Sequence, residues 1–62
     1  MKSFSSRELI KLAESKGWRL TSIEGSHHHF KHPTHKNKLT IPHPRKDFKP
    51  KTLKNILKDM EP

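Results

Sequence analysis

With 62 residues, of which 27% are hydrophobic, the chain has room for one small domain spanning 1–62. Such a domain hides only about 60% of its unfolded surface, so a homo-oligomer or a partner protein is expected to supply part of its burial. The absence of cysteine excludes a disulfide scaffold or a thiolate zinc site and fits a reducing cytoplasm, and no apolar run is long enough for a signal peptide or a membrane span. Fourteen Lys and Arg against six Asp and Glu, a net charge of +8, call for an anionic partner. The charges run through the whole chain rather than along one amphipathic helix, which favours nucleic acid, or an acidic protein, over a membrane surface.

The first helix is expected over residues 6–16. Ser5 is its N-cap, Glu8 completes a capping box, Phe4 packs on Leu9 as a hydrophobic staple, and Gly17 ends it in a left-handed conformation. Leu9, Ile10, Leu12 and Ala13 form its apolar stripe. Residues 18–23 alternate like a strand, with Ile23 out of step with Trp18 and Leu20, which predicts a bulge near Gly25. A second strand follows over 27–32, a polar turn over 33–37 and a third strand over 38–41. Pro42 and Pro44 lack ladder donors and rule out a continued central strand, leaving 43–48 as a loop. Pro50 suits the first position of a closing helix in which Leu53, Ile56, Leu57 and Met60 share one face, while Lys51, Lys54 and Lys58 occupy a solvated one.

The order is α+β, an αβββα chain: a three-stranded antiparallel meander with both helices on one face and the other face open. Alternation assigns the side chains. With Phe30 toward the core, His28 and His32 follow it, while His27, His29 and Lys31 project onto the open face. Leu39 and Ile41 point inward, and Lys38 and Thr40 share the outer face.

The histidine run admits several readings. His27 and His29 have the spacing of a chelate, yet no cysteine is present and Asp47 is the carboxylate considered as a further ligand, so no metal is expected. A purification-tag remnant is discounted, because a strand pattern continues through the run. For His28, His32 and His35 the expected role is packing. The remaining reading is acid–base chemistry by one exposed imidazole, since histidine titrates near neutrality and needs no cofactor. RNA carries its own nucleophile, the 2′-hydroxyl, and His27 is the best placed base. It directly follows Gly25 and Ser26, where the backbone can approach a phosphate closely, and His29, Lys31 and Lys38 are candidate RNA contacts, either lysine being a charge to stabilise a phosphorane. A non-catalytic RNA-binding module would need the same basic face without His27. Nucleophile elbows, P-loops and zinc-finger patterns are absent. Trp18 and Phe48 have the chemistry to stack on bases, although a Trp after a helix-ending Gly favours the core.

Gly25-Ser26-His27-His28-His29-Phe30-Lys31-His32-Pro33, followed by Thr40-Ile41-Pro42-His43-Pro44 and by the stretch from Lys49 to Lys58, closely resembles the HicA toxins of HicAB toxin–antitoxin systems. The resemblance covers nearly the whole chain. It implies a double-stranded-RNA-binding-domain-like fold and a metal-independent mRNA interferase that arrests translation and growth until a HicB-type antitoxin blocks it. It also implies that the histidine directly after Gly-Ser, His27, is catalytic.

Overall fold

The computed structural model describes residues 4–61. Helix α1 (Ser6–Ser15) leads into strands β1 (Arg19–Glu24), β2 (His27–Lys31) and β3 (Leu39–Pro42), and helix α2 (Pro50–Met60) closes the chain. The strands form one antiparallel sheet in the order β1-β2-β3, the expected αβββα arrangement.

Local signals set the helix boundaries. The Ser5 side chain accepts from the Glu8 backbone N–H, and the Glu8 carboxylate accepts from the Ser5 N–H at 2.8 Å, so the capping box satisfies donors that would otherwise be unpaired. Gly17 sits at φ +97°. A Cβ there would lie 3.0 Å from His32 Nε2, so the backbone favours glycine and a side chain would crowd the imidazole as well. Pro50 opens α2, where its missing N–H costs no helical hydrogen bond.

Leu9 and Ala13 of α1, Ile56 and Met60 of α2, and Phe30, Leu39 and Ile41 of the sheet form the core with Trp18 and Phe48. Both aromatics proposed as base-stacking candidates are therefore buried, and Trp18 Nε1 donates to the Met60 carbonyl at 3.1 Å, tying the end of α2 to the start of the sheet. His32 and His35 frame the same corner. His32 Nε2 donates to the Lys16 carbonyl, His35 Nε2 donates to the Glu61 carbonyl, and both rings pack on Trp18.

Three expectations are corrected. The bulge falls at Thr21, between Leu20 and Ser22 in the register, rather than near Gly25. It returns Leu20 and Ile23 to one face of the sheet, opposite Phe30 and His28, and Thr21 Oγ1 donates to the His29 carbonyl across the interruption. The pairing of β3 continues through Pro42, opposite His27, because β3 is an edge strand and an outward-facing proline there costs no ladder bond. Finally, the helices pack chiefly on β3 instead of evenly across the sheet, and Leu20 and Ile23 of β1 remain 47% and 54% exposed.

Candidate active site

Glu24 pairs with His27 across Gly25 and Ser26, making a two-residue hairpin turn. Gly25 has φ +59°, and no non-glycine residue has positive φ among those described, the pattern of a turn with glycine at its first central position. Nothing lies within 4 Å of a Cβ built on Gly25, so the requirement is conformational rather than steric. The turn ends where β2 begins, and it delivers His27 exposed at the mouth of the hairpin on the face away from the helices.

His29 shares that face but not that exposure. Only 8% of it is accessible, against the open position expected for it. Its Nε2 lies 2.8 Å from Glu24 Oε1 and its Nδ1 2.9 Å from Thr40 Oγ1. A carboxylate only accepts, so Nε2 carries a proton toward Glu24, and Nδ1 shares a hydrogen bond with the Thr40 hydroxyl, which can donate or accept. Both nitrogens are thus engaged within the fold. Thr40 is the direct cross-strand partner of His29, whereas Glu24 reaches it diagonally from β1. Sequence reasoning passed over Glu24. The signal was available in its place immediately before a two-residue turn, which sets it opposite His27.

Thr40→Val, of nearly equal volume, would leave His29 Nδ1 buried without a partner. It is expected to cost about 1–3 kcal/mol of a total on the order of 3–9 kcal/mol for a domain of this length. Urea denaturation should show a lower midpoint at unchanged m.

Lys31 lies on the same face as His27, but four residues along β2, about 13 Å at roughly 3.3 Å per residue. Lys38 precedes β3 instead of belonging to it, beside the Phe30–Leu39 pair, and so stands at the same far end. Neither lysine adjoins His27. Arg19, which sequence reasoning also missed, is the cross-strand partner of Lys31, and two like charges held opposite one another are mutually unfavourable unless an anion joins them.

On the helix side, His28 is half-buried with its ring edge-on to His43, 4.9 Å between centroids, and its Nδ1 is buried without a hydrogen-bond partner. The His43 N–H donates to the Ser26 carbonyl at 2.7 Å, fastening the β3–α2 loop to the hairpin turn. Among the described residues, no three His, Asp or Glu side chains gather at metal-binding separation.

A family model described as the HicA toxin of bacterial toxin–antitoxin matches residues 6–61. The chain belongs to the HicA toxin family. It is accordingly the toxin component of a toxin–antitoxin system, and an antitoxin is its expected counterpart. A search of curated proteins finds no match. The match to the HicA family spans α1 through α2 and so includes the hairpin turn, His27 and the β3–α2 loop. No helix among the described residues is long and apolar enough to cross a membrane.

Proposed function

We propose that this HicA-family chain is a metal-independent endoribonuclease that cleaves mRNA with His27 as its acid–base group and is neutralised by a HicB-type antitoxin. The observation that carries the reading is the setting of His27, an exposed imidazole on the uncovered sheet face, directly after a glycine-bearing turn in a chain of net charge +8. His27 removes the 2′-hydroxyl proton, the 2′-oxygen attacks the adjacent phosphorus, the bond to the 5′-oxygen breaks, and that departing oxygen takes a proton from water or from the protonated His27. The products are a 2′,3′-cyclic phosphate and a 5′-hydroxyl, and no metal-bound water is required. Gly25 and Ser26 offer backbone N–H groups and a hydroxyl to the reacting phosphate. Lys31 and Lys38, with Arg19, would hold phosphates further along the strand rather than the one that reacts. His29 serves the site through the Glu24 and Thr40 contacts that hold it, in place of the direct RNA contact first expected of it.

Cleavage of a single-stranded mRNA should proceed undiminished in EDTA and leave cyclic phosphate or its 3′-phosphate hydrolysis product. End-group analysis reads this directly, and 5′-phosphate ends lost on chelation would overturn the mechanism.

A further inference from the structure

Behind the hairpin, where the loop after β3 meets the start of α1, lies a cleft of about 540 Å³ lined by Ser6, Arg7, His43, Pro44, Arg45 and Lys46 among others. It has no part in the chemistry assigned to His27, and its construction is unusually fixed for a surface loop. Ser6 is 1% exposed, and its backbone N–H donates to the Arg45 carbonyl at 2.8 Å. Its hydroxyl oxygen lies 2.8 Å from the Arg45 N–H, 3.1 Å from the Arg45 carbonyl and 2.7 Å from His43 Nδ1.

A hydroxyl has one proton and two lone pairs. All three contacts are hydrogen bonds together only if Ser6 donates to the Arg45 carbonyl and accepts from both the Arg45 N–H and a proton on His43 Nδ1. The His43 ring is thereby held in one orientation, with Nε2 left as its free polar atom. Arg45 is steadied further by Phe48, its guanidinium carbon 5.0 Å from the ring centroid. Arg7 and Lys46 are exposed at the rim. Glu8, the carboxylate of the first turn of α1, is engaged with the Ser5 N–H.

We infer that this cleft is a second phosphate-binding subsite for RNA, holding a phosphodiester of the strand whose cleavage is assigned to His27. The inference rests on that ribonuclease reading. Three cations around a concavity with an apolar Pro44 wall suit a phosphate and its ribose, and guanidinium groups match phosphate oxygens in pairs. The 2.7 Å bond from the His43 N–H to the Ser26 carbonyl makes the cleft continuous with the turn that presents His27. One RNA strand can therefore pass from the outer face over the end of the hairpin into the cleft.

The test is binding of a single-stranded RNA oligonucleotide, measured from 50 to 200 mM salt in the cleavage-blocked His27→Ala background. Each phosphate neutralised on a single strand contributes about 0.7 to the log–log salt slope. The combined Arg7→Gln, Arg45→Gln and Lys46→Gln variant should make the slope shallower by about 0.7, the share of the one phosphodiester held in the cleft. Because Arg45 also packs on Phe48, the Arg7→Gln, Lys46→Gln pair is the second arm and should remove most of that same share. Equivalent glutamine changes at Lys51, Lys54 and Lys58 of α2 should alter it less. An unchanged slope in the folded double variant overturns the subsite, as does a result in which these changes weaken antitoxin binding alone, which would assign the cleft to an acidic protein. Absence of salt-dependent RNA binding in the His27→Ala protein itself would instead overturn the ribonuclease reading.

Discussion

Replacement of His27 by alanine should lower RNA cleavage by about 10²–10⁴-fold, the usual contribution of a positioned acid–base group, and should abolish toxicity. The fold should survive, since the side chain is exposed at the hairpin mouth and surface changes of this kind stay within about 0.5 kcal/mol. His28→Ala is the matched contrast. That ring lies on the helix side against His43, so the variant should melt at lower temperature and still cleave. A folded His28→Ala protein without activity, or a His27→Ala protein cutting RNA at the normal rate, would show that the face assignment is wrong.

The antitoxin should bind over His27 and inhibit in competition with RNA. An acidic partner seated on that face would remove substrate access and cancel the phosphate-attracting field together. The effect on stability should be large because the domain is so small. At a free antitoxin concentration 100 times its Kd, mass action on the folded state adds about 2.7 kcal/mol. For a domain of this size that corresponds to a rise in Tm of about 10–20 °C, measurable by titrating the antitoxin into a thermal melt. A complex in which His27 remains solvent-exposed and RNA still binds would refute occlusion and require a conformational mode of inhibition.

Uncovered apolar surface bears on the same complex. Leu20 and Ile23 stand exposed on β1 because the two helices are committed to β3.

Wherever the physics is local, the chain declared its structure in advance. Ser5 and Glu8 cap α1 through groups three residues apart, Gly17 takes positive φ readily because it has no Cβ, and the apolar period of Leu53, Ile56, Leu57 and Met60 faces α2 to the core. The two-residue period of a strand likewise carried His27 to the open face once Phe30 was set inward. Long-range register was not legible. Whether the parity break at Ile23 is relieved at Thr21 or at Gly25 depends on hydrogen bonds to another strand, and only that pairing brought Glu24 and Thr40 onto His29 and buried a ring that alternation alone would leave in solvent. The same holds for the cleft at the start of α1. Ser6 lies nearly 40 residues from His43 and Arg45 in the chain, and no periodicity or capping rule relates it to them. Their meeting follows from packing both helices on one sheet face, which is a property of the whole fold rather than of any segment.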